Sequence, residues 1–104
     1  MAITEDNIEL KPAILATRCE RQLDQAIKYL EDNYAPEQAA KMRSKFFKIV
    51  KLLELFPELG TKYRNGMRKF LLGKFRYNIY YRETKANVEI IGIQHTSQGA
   101  EFED

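Results

Sequence analysis

The sequence predicts an α+β domain: an N-terminal helical hairpin packed on an antiparallel sheet of three to four strands, in the order (β)ααβββ. Three observations carry that expectation. Between Pro12 and Pro57 apolar residues recur at spacings of three and four, the period of amphipathic helices. From Gly66 to His95 the pattern changes to short runs rich in β-branched and aromatic residues, Met67–Leu72, Phe75–Tyr81 and Val88–Ile93. Turn chemistry separates these runs, Gly73-Lys74 after the first and Glu83–Asn87 after the second, and gaps this short join neighbouring strands as hairpins.

The composition bounds what such a domain can be. A chain of 104 residues is one domain, long enough for a single core without a metal or a disulfide. Hydrophobic residues at 44% and charged residues at 31% exclude intrinsic disorder. The formal net charge is only +2, so any electropositive surface must be local. Cys19 is the single cysteine, which excludes an intramolecular disulfide and fits a reducing cytoplasm. The opening residues are acidic where a signal peptide needs a basic region, and no apolar run approaches the ~18 residues of a membrane span. The expectation is a cytoplasmic protein with no membrane association.

Taken in order, residues 1–6 read as a flexible lead-in, and Asn7–Lys11 alternates well enough for a short strand or an extended arm. Pro12 suits the first turn of a helix, where its missing N–H costs nothing. Cys19, Leu23, Ala26, Ile27, Leu30 and Tyr34 then form one face, ending near Asn33. After a loop of about three residues, Pro36 opens a second helix with the stripe Ala39, Met42, Phe46, Ile49, Val50, Leu53 and Phe56. Phe47, Leu52 and Leu55 widen its apolar surface, and Pro57 ends it. In the middle strand Phe75, Tyr77, Ile79 and Tyr81 share the face toward the helices, leaving Arg76, Asn78, Tyr80 and Arg82 outward. Residues 97–104 are polar and acidic around Phe102 and are expected to be flexible.

Several short pieces, in order, carry a family resemblance. They are Ala39-Ala40 at the second helix, Leu53 to Gly60 as an L-x-x-x-P-x-x-G helix exit, and Gly66-Met67-Arg68-Lys69-Phe70 as a glycine–apolar–arginine strand entry. Tyr80-Tyr81-Arg82 and Ile90 to His95, the latter an I-x-x-I-x-H strand, complete the set. Together they resemble the RelE/ParE superfamily of bacterial type II toxin–antitoxin toxins over most of the chain. The resemblance implies a single toxin domain over 1–104, a cognate antitoxin as partner, and either DNA gyrase or the ribosome with its mRNA as target. The sequence carries no zinc-ligand spacing, P-loop or glycine-rich dinucleotide motif, so no metal and no cofactor is expected.

The two branches of that superfamily differ in chemistry. Cleavage of mRNA by 2′-OH attack needs a base, cations for the phosphorane charge and an acid for the leaving oxygen. Arg68, Arg76 and His95 are the catalytic candidates for a metal-independent endoribonuclease, with Lys69 or Lys74. Such enzymes resemble this chain less at two points. Asn78 stands where they carry an arginine, and His95 is followed by Thr96-Ser97-Gln98-Gly99 with no arginine or tyrosine. The resemblance therefore favours the ParE-like branch, which acts by binding, and leaves an inactive toxin remnant serving as a binding module as a further alternative. Lys62, Arg64, Lys69, Lys74, Tyr80 and Arg82 are the candidates for contact with the target or with an acidic antitoxin segment. His95 is also readable as a strand-end imidazole bonded to a neighbour, and Arg68 as a residue that fixes the sheet edge.

Overall fold

Two prolines bracket the longest helix as their chemistry requires. Pro36 occupies its first turn and Pro57 follows its end, so α2 runs from Pro36 to Leu55. The preceding helix, α1, spans Thr17–Asn33, and only Tyr34 and Ala35 lie between the two. A connection this short forces the antiparallel hairpin. The structure is a computed structural model and describes residues 10–104. Its five strands are β1 (Ala13–Leu15), β2 (Thr61–Lys62), β3 (Arg68–Leu71), β4 (Tyr77–Glu83) and β5 (Val88–His95). Single 3-10 turns at Pro57–Leu59, Arg64–Gly66 and Gly73–Phe75 link them.

The strands form one sheet in the order β1-β5-β4-β3-β2, with the helical hairpin on one face. The α+β class and the chain order are as the sequence predicts. The sheet is larger than expected because two very short edge strands join the three long runs. β2 pairs antiparallel with β3, and β1 pairs parallel with β5, so the sheet is not wholly antiparallel.

The first helix also starts later than the sequence expectation, and a strand precedes it. Residues 1–9, which include most of the expected Asn7–Lys11 strand and the lead-in, lie outside the described residues. The observed strand is Ala13–Leu15, and the helix starts at Thr17, not at Pro12. The open edge of β5 explains the shift. Pro12 O accepts Val88 N–H at 3.1 Å, Ala16 N–H donates to Ile90 O at 2.9 Å, and Glu54 Oε2 accepts Ala13 N–H at 2.6 Å. A helix through these residues would leave those groups of β5 without partners, and unpaired buried backbone groups are costly.

The buried stripes are Cys19, Leu23, Ala26 and Ile27 on α1, and Ala39, Met42, Phe46, Ile49, Val50 and Leu53 on α2. Tyr34 and Phe56 were expected to continue them. Both instead follow the last helical residue, with φ of −135° and −133°, and are exposed. Across the sheet, Ile79, Tyr81, Val88, Ile90 and Ile93 complete the helix-side core. A bulge opposite Tyr80 and Tyr81 sets this pattern. Tyr80 pairs with Gly92 and Tyr81 with Ile90, so Ile91 is the extra residue on β5. The bulge reverses the parity of β5 beyond it, returning Ile93 to the helix side while Ile91 faces away.

Cys19 is fully buried in this core, and burial pushes its thiol up to about 12. The thiolate is the reactive form. The native protein is therefore expected to be inert to Ellman's reagent at neutral pH and to react only at the rate of unfolding. Prompt native-state labelling would contradict the packing described here.

Candidate functional site

The residues expected to matter fall into three places. The first is the turn between β3 and β4. Leu72 N–H donates to Tyr77 O at 2.7 Å, Arg76 N–H to Gly73 O at 3.0 Å, and Thr96 N–H to Arg76 O at 2.7 Å. These bonds hold Arg76 in the left-handed region, φ 60° and ψ 30°. The turn presents Lys74 and Arg76 to an open groove of about 450 Å³, which is also lined by Tyr29, Tyr34, Phe75, Tyr77 and His95. Three of the expected residues, Lys74, Arg76 and His95, are thus brought together. The sequence reading missed Tyr29, an aromatic side chain on the polar face of α1, and placed Tyr34 in the core.

His95 ends β5 with its ring edge-on to Tyr77, centroids 5.0 Å apart. Its Nδ1 lies 2.7 Å from Ser97 Oγ and accepts the Ser97 N–H at 3.1 Å. Accepting that N–H requires Nδ1 to be unprotonated, which puts the proton of the neutral ring on Nε2. No carboxylate lines the groove. Burial pushes the Tyr77 phenol up, so it stays protonated at neutral pH. The groove therefore offers two cations, several aromatic faces and one imidazole. That suits recognition of an acidic or aromatic surface better than paired acid–base chemistry.

Arg68 is elsewhere. It pairs with Tyr81 in the ladder, four residues along β4 from Tyr77, or ~13 Å at the rise of a strand. Its Nη1 donates to Gly60 O at 2.8 Å. Tyr81 Oη donates to Pro57 O at 2.6 Å and accepts Gly60 N–H at 2.8 Å. Arg68 and Tyr81 thus clamp the exit of α2 onto the sheet. Tyr81→Phe strands a buried backbone N–H and is expected to cost about 1–3 kcal/mol, read by denaturant titration.

The third place is the sheet face away from the helices. Lys62 is exposed on β2, and Lys69 Nζ lies 5.5 Å from the centre of the Tyr63 ring. Tyr80 was expected to be exposed, but it is only 5% accessible. Residues 97–104, expected to be flexible, supply the cover. Phe102 is 3% accessible and stacks on Tyr80, with centroids 4.0 Å apart and planes 3° from parallel. Phe102 N–H donates to Tyr63 Oη at 3.0 Å, and the Arg18 guanidinium lies 4.2 Å from the Phe102 ring centre. Around the ring, Arg64 pairs with Glu101 and Glu103, and Arg82 with Asp104 and Glu89. The acidic residues of this segment find arginines, and the aromatic residue among them finds a ring.

Burying one phenylalanine is worth about 1.5–3 kcal/mol, and exposed ion pairs about 0–1 kcal/mol each. Each ordered residue gives back about 1–2 kcal/mol of backbone entropy, so this segment is held weakly. Its hold is also pH-dependent. The hydrogen bond from Arg82 holds the Asp104 carboxyl below its ordinary 3.8. A carboxyl held low in the docked state contributes fully above its free value, and that contribution is lost as pH falls through the docked one. Phe102 ring resonances are thus expected to shift to undocked positions in acid below that range, and pH-independent shifts would contradict the pairing.

Among the described residues no three His, Cys, Asp or Glu side chains converge to hold a metal, and no helix is long and apolar enough to cross a membrane. The family model described as "ParE toxin of type II toxin-antitoxin system, parDE" matches residues 13–99. The chain belongs to this family. Among solved structures it is similar to a chain from the "Chromosomal ParDE TA system from P. aeruginosa". That similarity has a TM-score of 0.74 at 18% identity and covers 83% of this chain and 96% of the other. No curated protein matches the sequence. Membership in the ParE family accounts for the toxin fold and for the place of an antitoxin as partner. The family match ends at Gly99, before the segment that covers the outer face.

Proposed function

We propose that this ParE-family toxin acts in the cytoplasm by binding an essential protein target such as DNA gyrase, and that a cognate antitoxin holds it inactive. The observation that carries the reading is the family match over residues 13–99. The groove at Lys74, Arg76 and His95 supports it, because it combines positive charge and aromatic faces without a carboxylate. Expression without the antitoxin is expected to arrest growth with a DNA-damage response, and the purified protein to inhibit gyrase supercoiling. A translation stop within minutes, with intact supercoiling activity, would overturn the gyrase target.

One observation favours a second reading. Lys74, Arg76 and His95 line one groove, which brings together cations for a phosphate and an imidazole for proton transfer, as a RelE-like mRNA endoribonuclease would use them. Primer extension on cellular mRNA after induction separates the two readings, since only the nuclease leaves discrete cleavage ends. Arrest in neither assay, with the protein folded, would identify a toxin remnant that serves as a binding module.

A further inference from the structure

The outer face of the sheet, with Glu101–Asp104 lifted away, would present a small apolar surface from Met67, Tyr80 and Ile91. Its cationic rim is Arg18, Arg64 and Arg82. We propose that this face is a docking site for an acidic, aromatic-bearing segment of a protein partner, and that the chain's own Glu101–Asp104 occupies it in cis until such a segment displaces it.

The chemistry of the occupant is specified by what already sits there. An aromatic ring stacks on Tyr80, the backbone N–H beside it donates to Tyr63 Oη, and carboxylates on both sides meet Arg64 and Arg82. Tyr80 and Tyr63 are themselves in contact, with ring centroids 5.1 Å apart, so the aromatic floor exists before any ligand arrives. Room for the ring depends on Gly92. A Cβ there would lie 2.7 Å from the Phe102 ring and 2.5 Å from Gln22 Oε1, which accepts Ile93 N–H.

The same contacts explain why the occupant can leave. The ion pairs are exposed, and a cleft of about 560 Å³ remains beside the segment, lined in part by Arg18, Gln22, Gln98 and Glu103. The segment also lies beyond the family match, which ends at Gly99. A tethered segment competes at an effective concentration on the order of millimolar. A partner therefore succeeds by offering the same chemistry with more contacts. If that partner is the antitoxin, this site deepens the toxin reading and rests on it.

The test needs no antitoxin. A synthetic peptide with the sequence of residues 96–104 is titrated to millimolar concentration against the isotope-labelled full chain, observing amide shifts. Phe102→Ala is expected to bind it at least tenfold more tightly than wild type, with shifts centred on Tyr63, Tyr80 and Ile91. Adding Arg82→Ala to that variant should weaken binding at least fivefold, as should replacing phenylalanine by alanine in the peptide. Equal binding by wild type and Phe102→Ala, or no binding by either, overturns the proposal. So does equal binding of the alanine peptide, which would reveal charge attraction alone. A short single-stranded oligonucleotide that shifts the same amides more strongly would assign the face to nucleic acid and overturn it too. If Phe102→Ala fails to fold, Glu101→Gln with Glu103→Gln loosens the segment by charge alone and must show the same ordering. Failure here leaves growth arrest and antitoxin binding untouched, so it is distinguishable from failure of the toxin reading.

Discussion

Gly60→Ala is expected to destabilise the protein by about 3 kcal/mol or more, lowering the thermal midpoint by roughly 10–20 °C. Backbone conformation is not the reason, since Gly60 has φ −71° and ψ 154°, which any residue can adopt. Space is. A Cβ at this position would lie 2.6 Å from Tyr81 Oη, 2.8 Å from its Cε1 and 2.8 Å from the Lys69 carbonyl oxygen. Tyr81 is completely buried and Lys69 O belongs to β3, so neither can retreat freely. The turn must move instead, breaking the bonds from Gly60 N–H to Tyr81 Oη and from Arg68 to Gly60 O. Tyr81→Phe loses the hydroxyl's bonds to Gly60 N–H and Pro57 O but keeps the Arg68 bond, and should be milder. Combining the two removes the hydroxyl contact but not the ring or carbonyl contacts, so rescue should be partial. A Gly60→Ala protein within ~1 kcal/mol of wild type by chemical denaturation would show that this turn is not the constraint argued here.

That clamp gives physical content to the sequence pieces that carry the family resemblance. Gly60 closes the L-x-x-x-P-x-x-G exit, Arg68 belongs to the glycine–apolar–arginine entry, and Tyr81 to the tyrosine–arginine strand. All three meet at one point, where a helix is handed over to a sheet. Arg68 was therefore legible as a residue that matters, but its partners are backbone carbonyls of the turn. Sequence alone offers no way to see that its side chain ends at Gly60 and Glu58 and not at the groove.

Helix periods and proline brackets made the hairpin and most of its core readable, because those signals are local. What escaped was set by pairing at a distance. Ala13–Leu15 became a strand because β5 had an open edge, and Ile93 kept the core face only because Ile91 is bulged out. Tyr80 was placed outward correctly but judged exposed, because its cover, Phe102, comes from a segment whose polar composition gives no periodic signal. Acidic residues flanking a lone phenylalanine, in a chain with Arg64 in a turn and Arg82 outward on a strand, were the available clue. Charge complementarity within one chain becomes visible only once the register is known.

The groove yields the sharper functional prediction. Arg76→Gly is expected to leave stability unchanged or raise it by up to about 1 kcal/mol, while growth arrest is lost. An L-residue held at φ 60° is strained, and the turn is secured by the Arg76 backbone, whose N–H and C=O are both bonded. The side chain adds only a 3.4 Å contact from Nε to Thr96 Oγ1, so the fold gains little from it. A residue that strains its own turn to place a guanidinium beside Lys74 and the groove tyrosines is suited to contact with a target. Paired measurements of thermal midpoint and toxicity test this. A less stable variant, or one that still arrests growth fully, would remove Arg76 from the binding surface. His95→Ala then separates the two chemistries. Under a binding mechanism the variant still arrests growth, because the imidazole contributes one contact among several. Under a nuclease mechanism it loses the proton-transfer contribution, roughly 10²–10⁴-fold in rate, and arrest disappears with the mRNA cleavage ends.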